Sequence, residues 1–216
     1  MRHYVKFTYR RARADILPFD ALAELNACRG KLLELRLVGL DSNGVGFGNL
    51  SVRDGATRNF YITGSATGGL AKLSLTDCVR VVECNFKKNW LQYEGTAIPS
   101  SESLTHAAIY ESDPTTSSVI HCHDSVLWRA LLGRAPTSSN AVEYGTPEMA
   151  QEIMRLFKAT DVQNQKILVM AGHEAGIVTF GKDLEEAFAV LMRERQASSP
   201  CNENGFHKRI PRRHEG

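Results

Sequence analysis

The sequence predicts an α/β protein, a single-domain α/β/α sandwich in which helices cover a central mixed, largely antiparallel sheet. Strand-like and helix-like segments are interspersed without the strict βαβ regularity of an all-parallel sheet. The chain has 216 residues, a length that suits one sizeable core. Hydrophobic residues make up 43% of the chain and charged residues 23%, an ordinary globular composition that argues against wholesale disorder.

The first half of the chain predicts one helix followed by short strands and glycine-rich loops. Residues 18–39 are expected to form the helix, because leucines recur there at helical spacing and Gly39 suits its C-terminal stop. Residues 41–55 and 63–69 are rich in glycine and small polar residues, so we expect loops there. The sequence also predicts three short strands, at residues 60–62, 79–84 and 90–93.

The second half of the chain carries helix-capping signals. A helix is expected after the sequence PSSE (residues 99–102), and it stops before Pro114, which cannot continue it. Thr146 is the expected N-cap of another helix, with Pro147 at its first position, and Asp183 is the expected cap of the last helix. The other predicted segments are a helix at 125–132 and strands at 117–123, 167–170 and 177–180.

Positive charge is concentrated at the two ends, although the formal net charge is only +2. The basic residues are Arg2, Lys6, Arg10, Arg11 and Arg13 at the start, and His207, Lys208, Arg209, Arg212, Arg213 and His214 at the end. Solvated tails and a contribution to anion binding at a neighbouring subunit's site both fit this pattern. We expect no nucleic-acid partner, because aromatic residues are not interleaved with these charges. The predicted divisions are a basic segment (1–17), one domain (18–196) and a basic, partly disordered tail (197–216).

The cysteine pattern predicts a reducing compartment and hence a cytoplasmic location. The chain has five cysteines, an odd number without a CxxC pair, so we expect no disulfide framework. The N-terminal residues lack the apolar core of a signal peptide, so none is expected. No apolar run approaches the roughly 18 residues of a membrane span, so we expect no membrane partner.

Two histidines stand one residue apart in the predicted strand VIHCH. Side chains alternate faces along a strand, so His121 and His123 project from the same side and Cys122 from the other. Two imidazoles on one face can hold a divalent ion, most commonly zinc, although two ordinary histidines on a polar strand face fit the same spacing. His173 lies in a glycine-flanked turn between predicted strands and is a candidate third ligand, which would leave a fourth coordination position open.

Small polar residues point to an anion site near these histidines. Ser100, Ser101 and Glu102 open a predicted helix, where they could simply cap it or could bind phosphate at its N-terminus. Beside a metal ion, Glu102 could serve as a ligand, as a base or as both. Further candidate residues of a phosphate cradle are Asn49, Thr63, Gly64 and Ser65, in the glycine-rich loops. His106, within the helix after Glu102, is expected to be a structural or surface residue.

The order of motifs along the chain resembles the class II aldolase/adducin family, the zinc sugar-phosphate aldolases typified by fuculose-phosphate aldolase. The motifs are GNLSVR, YITGS, PSSE, VIHCHDS and AGHEAGIVTFG followed by an acidic helix, within about residues 20–195. The resemblance implies zinc, or another divalent ion such as manganese, iron or cobalt, bound by His121, His123 and His173. It implies that Glu102 is a resting ligand or acid/base. It also implies that Asn49, Thr63, Gly64, Ser65, Ser100 and Ser101 line a phosphate pocket, in a cyclic homotetramer with active sites near subunit interfaces.

The activity that the resemblance implies is reversible retro-aldol cleavage of a phosphorylated ketose to dihydroxyacetone phosphate and an aldehyde. Two alternatives are a ketose-phosphate dehydratase of the methylthioribulose-phosphate type and a non-catalytic, adducin-like binding module. The chain departs from the aldolases between His123 and His173, where fifty positions leave little room for the segment that carries a catalytic tyrosine from a neighbouring subunit. Tyr144 is a distant candidate for that tyrosine, and no tyrosine follows it.

Overall fold

The structure is a computed structural model that describes residues 5–198. The strands are β1 (Thr8–Arg13), β2 (Gly39–Leu40), β3 (Gly46–Phe47), β4 (Asn49–Arg53), β5 (Phe60–Thr63), β6 (Cys78–Asn85), β7 (Trp90–Glu94), β8 (Ser118–His123), β9 (Ile167–Val169) and β10 (Gly176–Gly181). The α-helices are α1 (Leu22–Glu34), α2 (Ser103–Ser112), α3 (Ser125–Leu131), α4 (Pro147–Ala159), α5 (Val162–Gln165) and α6 (Leu184–Ala197), with one 3-10 turn at Leu75–Asp77.

One eight-stranded sheet forms the centre of the molecule. Its strands lie in the order β1-β7-β6-β5-β4-β8-β10-β9, and only the pairing of β1 with β7 is parallel among the described strands. The predicted mixed, largely antiparallel sheet is therefore confirmed. Strands β2 and β3 form a separate two-stranded hairpin next to the start of β4.

Helices cover both faces of this sheet, as the α/β/α prediction requires. Helices α2 and α4 pack together on one face, and α1 and α6 pack together on the other. Strand β8 is buried between the two layers and serves both cores: Val119 packs in the α2/α4 core, whereas Ile120 and Cys122 pack in the α1/α6 core. Because side chains alternate along a strand, His121 shares the α2/α4 side with Val119.

The first half of the chain differs most from the sequence-based prediction. Helix α1 is shorter than the predicted 18–39, and it ends where Arg36 adopts a left-handed conformation with φ of +57°. The loop predicted for residues 41–55 instead contains β3 and β4. The glycines on either side hide the strand pattern of NLSVR, in which Leu50 and Val52 enter the α1/α6 core.

The basic N-terminal segment contributes to the sheet. Strand β1 pairs with β7 at the sheet edge, so the folded unit begins before the predicted boundary at residue 18. All six residues of β1 are exposed, and charged side chains on an edge strand discourage pairing with other chains. Arg13 forms an ion pair with Glu94 at 3.1 Å. Arg2 and the basic residues predicted for the tail lie outside the described residues.

The cysteines of residues 5–198 are free thiols, namely Cys28, Cys78, Cys84 and Cys122. Burial raises the pKa of Cys28 to about 11 and that of Cys84 to about 12, so these thiols stay protonated and unreactive at neutral pH. No helix in this part of the chain is long and apolar enough to cross a membrane.

A buried polar network fastens α2 to the sheet. The Ser51 Oγ atom of β4 lies 2.7 Å from Nδ1 of His106 and 2.7 Å from the Tyr110 hydroxyl, both on α2. His106 is fully buried, so the prediction of a structural residue holds and that of a surface residue does not. Buried hydrogen bonds of this kind favour a single arrangement of the helix and the strand that they join. The network therefore fixes the position of α2 on the sheet.

Replacing Tyr110 by phenylalanine is expected to lower the free energy of unfolding by about 1 kcal/mol, because a buried hydrogen bond is lost. Urea unfolding of the variant and the parent protein measures this difference. Tyr9→Phe is the matched control: Tyr9 is 37% exposed, so removing its hydroxyl should leave the free energy of unfolding unchanged within error. Equal effects of the two substitutions would contradict the role given to the network.

Candidate metal centre

Strand register brings three histidines together. His123 lies opposite Gly176 at the end of the β8–β10 pair, so the turn before β10 carries His173 back over the end of β8. One ring nitrogen from each of His121, His123 and His173 lies within 4.8 Å of the other two. The Nε2 atoms of His123 and His173 are 2.7 Å apart. The three imidazoles therefore converge on one point at the end of the sheet.

The backbone around the cluster fixes the orientation of its rings. Nδ1 of His121 donates a hydrogen bond of 3.2 Å to the Ile177 carbonyl oxygen, which leaves the Nε2 lone pair free for a ligand. The turn that holds His173 includes Ala175 in a left-handed conformation, with φ of +64°. A Cβ atom at Gly176 would lie 2.5 Å from Cδ2 of His173, so this ring position requires glycine there.

Burial keeps the three imidazoles neutral. It lowers the pKa of His123 to about 4 and, together with the nearby His123 and Lys6, lowers that of His173 to about 3. Burial and the neighbouring imidazoles hold the pKa of His121 well below its usual range. Neutral imidazole is the form that binds a metal ion, so the cluster is ready for a cation at physiological pH.

Glu102 is a buried carboxyl group at the start of α2. It is the N-cap residue, but its side chain makes no capping hydrogen bond. Ser100 and Ser101 precede the helix, and the Ser100 hydroxyl accepts a long hydrogen bond of 3.4 Å from the Glu102 amide. Oε2 of Glu102 accepts a hydrogen bond of 2.7 Å from the Thr105 hydroxyl, whereas Oε1 is buried without a partner. Burial raises the pKa of Glu102 to about 7, although Thr105 and Lys6 pull it down. At neutral pH this group can therefore hold or release a proton.

One cavity of about 380 Å³ joins the histidines and Glu102 to the glycine-rich loops. Nine of the ten residues predicted for the site line it: Asn49, Gly64, Ser65, Ser100, Ser101, Glu102, His121, His123 and His173. Thr63 does not. Its hydroxyl accepts a hydrogen bond of 3.3 Å from the Leu50 amide and so supports the sheet behind the cavity. The structure thus gathers most of the predicted residues around one space, and their roles stay proposals.

Two aromatic residues of the cavity wall carry little sequence signal. The ring of Tyr144 stands edge-on against His173, with centroids 4.3 Å apart. The ring of Phe47 lies 5.2 Å from that of His123. Phe47 has no motif around it that could reveal this position, and Tyr144 is only a distant candidate by its sequence. Asp124, next to the histidine pair, points elsewhere: it caps α3 and forms an ion pair of 2.8 Å with Arg195.

The residues present fit a divalent cation. Besides three neutral imidazoles, two buried oxygens of the cavity wall lack a hydrogen-bond partner in the described chain, Oε1 of Glu102 and Oδ1 of Asn49. A buried polar atom without a partner costs free energy, so a cation that these two oxygens could bind would be favoured here. Nitrogen ligands with an adjacent carboxylate suit zinc and several other first-row divalent ions.

The fold and this cluster define an α/β/α sandwich with a three-histidine site at the end of its sheet, and solved aldolases share the fold. An L-fuculose 1-phosphate aldolase has a TM-score of 0.63 at 22% identity over 85% of this chain and 84% of its own. The L-fuculose-1-phosphate aldolase from Thermus thermophilus has a TM-score of 0.59 at 19% identity over 82% and 90%. That from Glaciozyma antarctica has a TM-score of 0.54 at 16% identity over 85% and 76%. At these identities the likeness shows the fold.

The chain belongs to the class II aldolase and adducin N-terminal domain family, whose model matches residues 35–197. No curated protein matches the sequence. The family resemblance found in the motifs is therefore confirmed.

Replacing His123 by alanine is expected to remove bound metal while the protein stays folded, because the side chain lies at the end of a strand and is only partly buried. Mutating a residue that only orients a metal ligand weakens metal affinity by roughly 10- to 100-fold, and loss of the ligand itself should weaken it at least as much. Mass spectrometry of the purified variants gives metal content, and circular dichroism checks the fold. Tyr144→Phe is the control and should keep its metal. Full metal content in His123→Ala would show that the ligand assignment is wrong.

Replacing Glu102 by glutamine is expected to stabilise the metal-free protein more and more as pH rises. The folded-state pKa is raised from 4.5 to about 7, so the parent loses stability as pH rises through this range, whereas the glutamine variant does not. Melting temperatures of metal-free protein between about pH 4 and pH 8 measure the difference. Glu111→Gln, an exposed change on the same helix, should show no such trend. A pH-independent difference for Glu102→Gln would contradict the burial of this carboxyl.

Proposed function

We propose that the protein is a metal-dependent aldehyde-lyase that cleaves a phosphorylated ketose reversibly to dihydroxyacetone phosphate and an aldehyde. The observation that carries this proposal is the meeting, in one cavity, of three neutral imidazoles and a buried carboxyl group with a free oxygen. Membership of the class II aldolase and adducin family supports a lyase. Fold neighbours named L-fuculose 1-phosphate aldolase support a phosphorylated sugar as the substrate class.

His121, His123 and His173 are the proposed metal ligands, with Glu102 as a further ligand before substrate binds. Zinc is the first choice, and manganese, iron or cobalt suit the same donors. When bound, the ion supplies a Lewis acid that stabilises negative charge on the carbonyl oxygen of the substrate. The Ile177 carbonyl contributes by holding His121 in the tautomer that presents Nε2.

Glu102 is the proposed acid/base. In a retro-aldol cleavage the C3–C4 bond breaks, the C4 hydroxyl group loses its proton, and C3 gains one. In the metal-free protein the pKa of Glu102 is about 7, a value that suits proton exchange at neutral pH, and its Oε1 atom has no competing partner. We assign to Glu102 the proton exchange at C3. Tyr144 lies in the cavity wall, and its phenol group is the candidate that exchanges a proton with the C4 oxygen.

The proposed phosphate site consists of amides and hydroxyls. Among the described residues that line the cavity, none is a lysine or an arginine. Within this chain, the candidate donors to a phosphate group are the hydroxyls of Ser65, Ser100 and Ser101 and the side-chain amide of Asn49. Gly64 lines the same wall, but its amide already donates to the Asp77 carbonyl at 2.8 Å. Backbone amides that converge on one point bind anions well. Thr63 has the supporting role described above.

The proposed assembly follows from the family resemblance, and the proposed location follows from the cysteine pattern. We propose a cyclic homotetramer with active sites near subunit interfaces, and a cytoplasmic location. Buried thiols that need no disulfide partner suit a reducing compartment.

The reaction is tested by incubating the metal-loaded protein with a panel of ketose 1-phosphates that includes fuculose 1-phosphate. The expected result is release of dihydroxyacetone phosphate, measured with a coupled reductase, and a fall of about 100-fold or more in Glu102→Gln, as for the loss of a general acid or base. Glu111→Gln on the same helix is the control and should keep full activity.

Product analysis separates the alternatives. A single product that has lost water would point to a dehydratase of the methylthioribulose-phosphate type. Metal-loaded protein that leaves every sugar phosphate intact would favour a non-catalytic, adducin-like module.

A further inference from the structure

A buried arginine lies directly behind one wall of the cavity, the glycine-rich wall formed by residues 66–68. Arg29 belongs to α1 and is 3% exposed. Its guanidinium group donates hydrogen bonds to the carbonyl oxygens of Thr67 at 2.8 Å, of Gly68 at 3.0 Å and of Leu70. Thr67 and Gly68 line the cavity. One layer of backbone therefore separates the positive charge of Arg29 from the cavity.

No carboxylate within the described chain hydrogen-bonds to this guanidinium group. Asp77 is the nearby acid, but its carboxylate accepts from the Ser74 amide at 2.8 Å and from the Ser74 hydroxyl at 2.6 Å. Asp77 therefore acts on Arg29 only through space, without a hydrogen bond to it. An arginine stays protonated in proteins, and a buried charge without a hydrogen-bonded counter-charge is costly. The fold therefore holds a positive charge behind the cavity wall that an anion in front of it would offset.

The backbone of the glycine-rich wall offers N–H groups that could bind an anion. In a trans peptide the carbonyl and the following N–H point to opposite sides, so the Gly68 amide points away from Arg29. Ala66 adopts a left-handed conformation with φ of +62°, a turn that makes successive amides converge. In residues 5–198 the amides of Ala66, Thr67 and Gly68 have no acceptor, whereas that of Ser65 donates to the Ile98 carbonyl at 2.8 Å.

We propose that Arg29 is a positioning residue for the phosphate group of the substrate. It holds the carbonyls of Thr67, Gly68 and Leu70 from behind, and this turns the Gly68 amide towards the opposite side. Its charge acts through the peptide layer on the bound anion. This inference rests on the proposed function, because it assigns the glycine-rich wall to phosphate, and it adds a residue that does not itself line the cavity.

Binding of inorganic phosphate to the full-length protein, measured by isothermal titration calorimetry, tests this role. Arg29→Gln, which keeps hydrogen-bond donors but loses the charge, should weaken binding by about tenfold, as expected for a charge one peptide layer away. Arg29→Lys keeps the charge and should remain within about threefold of the parent. Asn26→Ala is the matched control: Asn26 also ties α1 to this segment, by bonds of 2.9 Å and 2.8 Å to the Leu73 carbonyl and amide, but it carries no charge. Its phosphate affinity should stay within about twofold.

The outcomes distinguish this inference from the function on which it rests. If folded Arg29→Gln binds phosphate as the parent does, or if Asn26→Ala weakens binding equally, the role of Arg29 is refuted and the phosphate site stands. If the parent itself does not bind phosphate, both are refuted.

Hydrogen exchange on the parent keeps the inference testable if Arg29→Gln does not fold. Phosphate should slow exchange of the amides of residues 66–68, because these amides would donate to the anion. Unchanged exchange at these positions, with phosphate bound, would refute the role given to the wall.

Discussion

The antiparallel pairing of β8 with β10 on one side and with β4 on the other is the constraint on which the site depends. It places His123 opposite Gly176 and His121 opposite Asn49, so the turn with His173 and the start of β4 meet the end of β8. Because residues alternate faces, a slip by one position would turn both imidazoles into the α1/α6 core and bring Cys122 to the cavity. Two buried layers, with Ile120 in one core and Val119 in the other, make such a slip costly.

The rest of the cavity is built by elements from opposite layers of the sandwich. Helix α2, held to β4 through Ser51, brings Glu102 from one side, where burial raises its pKa to about 7. Helix α1 brings Arg29 from the other side, where it supports the glycine-rich wall. Local sequence decides little of this arrangement. The protonation states of the imidazoles and of Glu102 follow from burial between two cores.

Sequence reasoning succeeds where the signal is local. The fold class follows from the mixture of elements, and the caps Thr146 and Asp183 lie where the side-chain pattern places them. The spacing of His121 and His123 predicts their shared face because strand geometry alone fixes it. Strand β4 was not predicted because flanking glycines mask its alternation of apolar and polar residues. Strand β1 was not predicted because an exposed edge strand rich in arginine has no apolar pattern. Thr63, Tyr144 and Arg29 owe their positions to tertiary packing, which spacing along the chain does not encode.

Metal content per chain is the first measurement to make, since the proposed cleavage depends on the three imidazoles holding an ion. The protein is purified without added metal or chelator, and bound metal is measured by mass spectrometry. We expect about one divalent ion per chain, with zinc foremost. If the chain carries no metal and takes up none on reconstitution, the three histidines are not a metal site and the proposed function is wrong.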